Sequence, residues 1–452
     1  MRERLESILA AWGQRAYRHP RLTIGLVLAS LLPMFSQLPQ LELNATTEAL
    51  LHGTDPTRVA YDRFREQFGR DDLILIAIAG PEVFDFDFLE KLREMHRDIE
   101  TEVPHLEDVR SLVNARDTRG AEDELIVGDL LEDWPTTPAE LETIKRRALA
   151  NPLYRNLLLS EDGRITTISI ELDAYSSLGI KADELGGFGD DETQARPPIT
   201  GAESEQIILA IESIVDRYRA ADFVIYVAGA PVLVHALQAA MRADMARFTL
   251  LAIAAIVFFL YALFRNVAAA ILPLLVVIPS LLTTLSIMAM TGLMISIPTQ
   301  ILPSFLLAVG VGNSVHILAI FYQERRRGAD EESAISFALG HSGLAVVMTS
   351  LTTAGGLISF SAAEIAPIAE FGIIGPVGVM ISLLLTVVAL PALISLAPMG
   401  TPRSAGGQGP QLSQRWLMRA GDFSVRNAGV IVVAVGVLLV VALLGALRIQ
   451  FS

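Results

Sequence analysis

The sequence contains no cysteine, which excludes a disulfide framework, thiolate metal ligands and a cysteine nucleophile. Lysine is almost absent as well: Lys91, Lys145 and Lys181 are the three in the chain, and nearly all positive charge is arginine. The long apolar runs lack Asp, Glu, Lys and Arg altogether. What is there is 452 residues, 52% of them hydrophobic, with a net charge of −15 and a mean hydropathy of +0.47. Soluble domains are commonly about 45–50% apolar, and here the surplus is gathered in blocks. The composition is that of a polytopic membrane protein.

Seven runs are long enough to cross a bilayer core: Leu22–Leu38, Phe248–Phe264, Val267–Met290, Gln300–Tyr322, Gly343–Ala363, Phe371–Leu396 and Ala428–Leu447. The first two are short and are expected to lengthen into amphipathic ends. No small-x-small cleavage site follows the first run, so it reads as a span and not as a signal peptide. Charge then divides the chain. Residues 41–245 hold 41 acids and 20 bases, a net of −21; the rest holds 9 and 15, a net of +6. Phosphates would be repelled by so acidic a segment, which argues against nucleic acid. With the N-terminus inside, the inner segments carry Arg2, Arg4, Arg15, Arg18, Arg21, Arg265, Arg325, Arg326, Arg327, Arg403, Arg415, Arg419 and Arg426. Arginine asymmetry of this kind sets orientation and places the acidic segment outside, in the periplasm of a bacterial cell. The stretch Arg325-Arg326-Arg327 reads as a topology anchor.

The outer segment reads as mixed α/β. Leu73–Ala79, Val109–Val113, Ile165–Leu172 and Phe223–Val227 are strand-like, the third with one slip in its alternation. Phe84–Glu102 and Glu203–Ala220 have helical spacing. Strand–helix–strand thus occurs twice, which predicts a ferredoxin-like pair of units, with Ser176–Gly201 as a long Gly- and Asp-rich loop. Asp71-Asp72 reads as a solvated pair at a strand entrance. No nucleophile elbow, P-loop, zinc signature or dinucleotide fingerprint is present, so neither an enzyme nor a bound cofactor or metal is expected, and no catalytic residue is assigned.

A shift of 408 positions lays the N-terminus on the C-terminus. Ala16-Tyr17-Arg18-His19-Pro20 falls on Ser424-Val425-Arg426-Asn427-Ala428, the first span falls on the seventh, and Leu41 and Leu43 match Ile449 and Phe451. Internal repeats of this kind are common in transporters.

Several local patterns now point one way. They are Phe68-Gly69-Arg70-Asp71-Asp72, Gly229-Ala230-Pro231-Val232 with Asp244, Gly310-Val311-Gly312-Asn313-Ser314-Val315-His316, Thr349-Ser350-Leu351-Thr352-Thr353, and Pro367, Phe371-Gly372 and Pro391-Ala392-Leu393. In order and spacing the chain resembles the resistance–nodulation–division (RND) superfamily, in particular the branch of the mycobacterial large membrane proteins (MMPL) and hopanoid exporters. Its five-helix block is also similar to the sterol-sensing domain. The resemblance implies a cytoplasmic N-terminus and first helix over 1–40, a periplasmic porter-like domain over 41–245, a five-helix block over 246–398, a cytoplasmic linker over 399–427, and a seventh helix opening a second repeat over 428–452. The chain would then be the N-terminal half of a duplicated protein plus one helix of the other half, and incomplete as a transporter by itself.

The resemblance also implies a proton-carrying aspartate in the fourth helix, at the position of Asn313, whose amide cannot titrate. Ser314 and His316 lie beside it, Ser350 and Thr353 on the fifth helix, and together they form the candidate polar site. His316 reads either as a titrating relay or as a neutral histidine bonded to a hydroxyl of the neighbouring helix. Gly310, Gly312, Gly355 and Gly356 read as packing glycines. Glu364 and Glu370, flanking Pro367, read as solvated loop acids. Two functions stay open: proton-driven export of a lipid or other hydrophobic molecule across the inner membrane, and lipid or sterol sensing without net transport. The expected partners are a membrane lipid or hydrophobic small molecule, protons, a second half or oligomeric partner, and a further periplasmic protein.

Overall fold

The computed structural model describes residues 2–68, 73–121, 124–173, 199, 201–397 and 412–448. It comprises two compact units, Met1–Met399 and Gly400–Ser452. The first opens with an amphipathic helix α1 (Arg2–Arg18), a break at His19, and α2 (Pro20–Phe35). After α3 (Pro56–Phe68) comes β1 (Leu73–Ala79), α4 (Phe86–Glu102) and β2 (Leu106–Arg110), then a hairpin of β3 (Arg116–Ala121) and β4 (Glu124–Asp129). There follow α5 (Pro138–Ala150), β5 (Ile165–Leu172), α6 (Gly201–Tyr218) and β6 (Val224–Gly229). Five long helices complete the unit: α7 (Ala230–Phe264), α8 (Val267–Thr291), α9 (Leu302–Arg326), α10 (Glu331–Ile358) and α11 (Ala366–Leu396). The second unit holds α12 (Leu412–Arg426) and α13 (Ala428–Ala446). Among the described residues, seven helices are long and apolar enough to cross a membrane, namely α2, α7 to α11, and α13.

Four strands form one antiparallel sheet in the order β2-β5-β1-β6. Each of α4 and α6 therefore connects two parallel strands with an antiparallel strand between them. One face of the sheet is dry. Ile74, Ile76 and Ile78 of β1 and Ile168 and Ile170 of β5 are wholly buried beneath Leu92, Met95 and Ile99 of α4 and Ile211 and Ile214 of α6. Burial of such a side chain is worth roughly 1.5–3 kcal/mol, so the face that alternates in phase fixes the register. The slip in β5 is resolved in this way: Thr166 points inward and bonds Leu158 O at 2.9 Å, while Ile165 is 40% exposed. A hydroxyl with a backbone partner substitutes for the expected isoleucine.

The strand expected over Val109–Val113 instead ends at Arg110. Asn114 closes a turn there, its amide donating to Val109 O (2.7 Å) and its Oδ1 accepting from Ser111 N (2.9 Å). The helix expected from Phe84 starts two residues later because Asp85 caps it, accepting from Asp87 N and Phe88 N. Asp71 and Asp72 lie outside the described residues, as does Ser176–Gly201 apart from Ile199 and the α6 residue Gly201.

Below the sheet, His96 of α4 is buried, with Nδ1 at 3.0 Å from Ser111 Oγ and Nε2 at 3.2 Å from Glu100 Oε1. Burial holds this imidazole below the usual histidine range, against the opposing pull of Glu100. Folded, His96 binds fewer protons than the unfolded chain does. Stability is then full above about pH 6.5 and is lost as pH falls below it. The melting temperature of the solubilised protein should drop between about pH 7.5 and 5.5, and His96→Gln should shrink that drop. An equal drop in both proteins would refute the assignment.

The sheet runs directly into the helices, and the segment between α2 and α3 is tied to their connections. Strand β6 runs into the 35-residue α7 with Gly229 as the N-cap and no intervening loop. The chain at 42–44 pairs with the α8–α9 connection, through Asn44 N to Ile295 O (2.8 Å) and Ile295 N to Glu42 O (2.9 Å), while Gln238 of α7 donates to Leu43 O (2.8 Å). His52 donates through Nε2 to Ala363 O (3.1 Å), just before α11.

The second unit carries the backbone signature of the first. α12 and α13 are broken at Asn427 (φ −115°, ψ 30°), as α1 and α2 are at His19 (φ −121°, ψ 56°), and those two residues are 408 positions apart.

Candidate functional site

The buried polar groups of the spans lie on α8, α9, α10 and α11. Asn313 of α9 is 5% exposed and donates from Nδ2 to Ser350 Oγ of α10 at 3.2 Å. This neutral bond ties the two helices at mid-span, where an unpaired amide would be costly.

The remaining candidate residues diverge from this pair. His316 is exposed on the outer surface of α9 and has no hydrogen-bond partner among the described residues. Residues three apart on a helix are separated by about 60°, and here the edge of the α9–α10 contact falls between Asn313 and His316. Thr353 is half-buried and bonds its own helix at Thr349 O (2.8 Å). Ser314 is wholly buried and lies one turn after Gly310, on the side that faces α8 and α11. Glu364 is exposed, and Glu370 is half-buried in the first turns of α11.

Sequence reasoning passed over Ser280 of α8 and Ser382 of α11. With Ser314 they are wholly buried, and their hydroxyls have no partner among the described residues. Their neighbours Thr283, Thr284, Ser286 and Thr386 all bond the carbonyl one turn back, at 2.7–2.8 Å. Hydroxyls at matching depth on three spans were the available signal.

Of the four glycines, Gly310 is tightly packed. A Cβ there would strike Ser382 Oγ and come within 2.9 Å of Val277 Cγ2. Gly312, Gly355 and Gly356 have open space beside them. Any packing role of these three is toward something outside the described residues. The contrast gives a prediction. Alanine ordinarily stabilises a helix over glycine by up to about 1 kcal/mol, and Gly312→Ala should be neutral or gain that much. Gly310→Ala should lose about 1–3 kcal/mol by overpacking, because branched Val277 has little rotamer freedom on its helix. The melting temperature should fall in Gly310→Ala and hold or rise in Gly312→Ala, two residues away.

One stripe is small and polar, with Ala308 and His316 exposed on α9 and Thr349, Thr352 and Gly356 on α10, while beside it α10 also exposes Met348 (54%), Leu351 (48%) and Ile358 (55%). The exposed surface of α7 is large and apolar, with Leu250, Leu251, Phe258 and Phe259 all at least 65% exposed. Hydrocarbon chains suit α7 and the Met348–Leu351–Ile358 side of α10, whereas the small, polar stripe allows close approach of another helix. In the α/β domain, a cleft of about 620 Å³ is lined by Glu132, Trp134, Glu140 and Arg147 among others. Arg93 stacks on Trp134 at 4.2 Å and Arg147 pairs with Asp117. So charged a lining does not suit an alkyl chain. No cluster of three His, Asp or Glu placed to hold a metal occurs among the described residues.

A family model of the MMPL family matches residues 190–431, more than half of the chain. The chain belongs to the MMPL family. The match takes in the whole five-helix block of this MMPL chain with the Asn313–Ser350 pair, together with α6 and α12. A protein of Methanocaldococcus jannaschii described as a membrane protein is 23% identical over 198 residues, which are 43% of this chain and 51% of that protein. The chain spans about half the length of the curated relative it matches. The family and the seven apolar helices together make it a multi-pass membrane protein.

Proposed function

We propose that this MMPL-family chain is part of an RND-type transporter that moves a lipid or other hydrophobic molecule out of the inner membrane. The observation that carries the reading is mechanical. Strand β6 is joined to α7 without a loop, and the segment between α2 and α3 is pinned to the α8–α9 connection at Ile295 and to the α10–α11 connection at Ala363. A displacement of α7 therefore reaches the sheet directly. The split strand–helix–strand sheet is read as a ferredoxin-like porter domain in the periplasm, over 41–245, with the N-terminus cytoplasmic. The small, polar stripe along α9 and α10 receives a second helix bundle, from a second half or a second copy.

Coupling to protons is the open part of the mechanism. Asn313 and Ser350 form a neutral pair, so a relay in this chain runs through His316 at the exposed surface, where a second bundle would cover it. The neutral pair also supports the other reading, a passive lipid-binding half that senses occupancy. Transport measured on the intact gene product separates the two. Lipid export that stops when an uncoupler collapses the proton gradient supports the transporter; lipid binding with no flux in either condition supports the sensor.

Orientation has its own test, made clean by the cysteine-free sequence. A cysteine at exposed Glu132 should react with an impermeant maleimide in intact spheroplasts, and one at exposed Arg327 only after lysis. The opposite pattern would invert the topology.

A further inference from the structure

Helix α1 is held against the bundle in one fixed rotation. Leu9 packs on Gly343, where a Cβ would come within 2.9 Å of its Cδ1; Ala10 packs on Gly340, and Gly13 receives Leu339. Gln14 donates to Glu332 Oε1 (2.7 Å), Tyr17 to Glu331 Oε2 (3.1 Å), and Ser336 to Ala10 O (3.1 Å). These contacts use one side of α1 and leave the rest of its circumference defined.

At about 100° per residue, what is left divides into two adjacent arcs. Leu5, Ile8 and Trp12 share one; Leu5 is 40% exposed, Ile8 is 62% exposed, and Trp12 is half-buried at the edge of the docked side. Arg4, Arg15 and Arg18 share the next, and all three are exposed. Arg18 pairs with Glu332. Arg4 and Arg15 have no ion pair among the described residues. The helix is also fixed in depth, because α2 enters the membrane only two residues after it ends. A helix at the level of the headgroups, with one arc docked, one apolar and one basic, matches the layers of a bilayer surface in order. In the second unit, exposed Arg419 and Arg426 of α12 stand 408 positions after Ala11 and Arg18, on the same basic arc.

We propose that α1 is an in-plane lipid-binding helix that recruits anionic phospholipid, its Leu5–Ile8–Trp12 arc entering the acyl boundary and Arg4 and Arg15 engaging headgroup phosphates. Because its docked side holds α10, which carries Ser350, the lipid also braces the helix that bonds Asn313. Arginine forms paired hydrogen bonds with phosphate oxygens, and each near an anionic surface is worth about a fivefold enrichment.

Trp12 reports on this directly. With Trp134→Phe and Trp416→Phe it becomes the lone tryptophan, and the full chain can be placed in phosphatidylcholine vesicles containing a brominated lipid. Brominated phosphatidylglycerol should quench Trp12 more strongly than brominated phosphatidylcholine at equal mole fraction, by several-fold in apparent affinity. Arg4→Gln with Arg15→Gln should abolish the preference while quenching by the zwitterionic lipid stays as before. Both leaflets carry the lipid, so the result is independent of orientation. Equal quenching by the two lipids, or a preference that survives the double substitution, overturns the proposal. Native mass spectrometry of the otherwise unaltered chain makes the same comparison without the tryptophan changes. Retention of phosphatidylglycerol over phosphatidylcholine that is lost in Arg4→Gln/Arg15→Gln supports it, and equal retention overturns it.

Discussion

Gly229→Ala should cost the protein about 3 kcal/mol or more, enough to lower its melting temperature sharply or prevent its accumulation. Gly229 has φ 139° and ψ 159°, a conformation that side chains other than hydrogen avoid. A Cβ there would run into Leu73 O and lie 3.1 Å from Ile74 Cα. These atoms belong to β1, the neighbour of β6 at the centre of the sheet, and they cannot yield without breaking the ladder. Strain and collision therefore add. Gly292, the C-cap of α8, separates the two contributions, because it has φ 71° and open space beside it. Gly292→Ala should lose about 1–2 kcal/mol, the left-handed penalty alone, and Gly292→Asn less, since asparagine tolerates that region. Gly229→Asn should be no better than Gly229→Ala. If Gly229→Ala melted like Gly292→Ala, the collision would be discounted, and with it the rigid joint between sheet and span on which the mechanical coupling rests.

Features set by local chemistry were legible in the sequence. The isoleucines of β1 and the 3.6-residue spacing of α4 and α6 mark one buried face each, and the apolar runs mark the spans, because periodicity and length are local properties. What escaped depends on partners far along the chain. Nothing around Leu9 or Gly13 announces that they meet α10, more than 300 residues away. Thr166 breaks the alternation of β5 only until its bond to Leu158 O is known. The end of β2 turns on one asparagine side chain. In the candidate site, the polar residues of α9 and α10 were legible as types, and Asn313 with Ser350 meet. The sequence spacing alone could not say that Asn313 would be buried and His316 exposed one turn further on, since that is decided by where the neighbouring helix ends its contact.

Asn313→Asp should give the fourth membrane helix a group that gains and loses a proton, which the native chain lacks at that place. Asn313 now donates to Ser350 Oγ. An aspartate keeps the bond in one of two ways, by reversal with the hydroxyl donating to the carboxylate, or in the native direction with the protonated acid donating to the hydroxyl, and both fit the same 3.2 Å spacing. A charge left bare at mid-span costs about 2.5–3.5 kcal/mol even on the lenient insertion scale, so the site must either take up a proton or recruit a counter-charge. His316, three residues on and exposed beyond the edge of the α9–α10 contact, is the imidazole of α9 placed to supply it. Infrared difference spectra of the reconstituted protein should therefore show, in Asn313→Asp, a titrating carboxylic-acid band additional to those of the native carboxyls, which moves when His316→Ala is added. In the intact gene product, proton dependence of lipid movement should appear or increase. Asn313→Leu, which removes the bond without adding a proton site, should instead loosen α9 from α10 by about 1–3 kcal/mol and leave pH dependence unchanged. A folded Asn313→Asp protein with the native pH profile and no additional titrating carboxyl band would remove α9 from consideration as the relay.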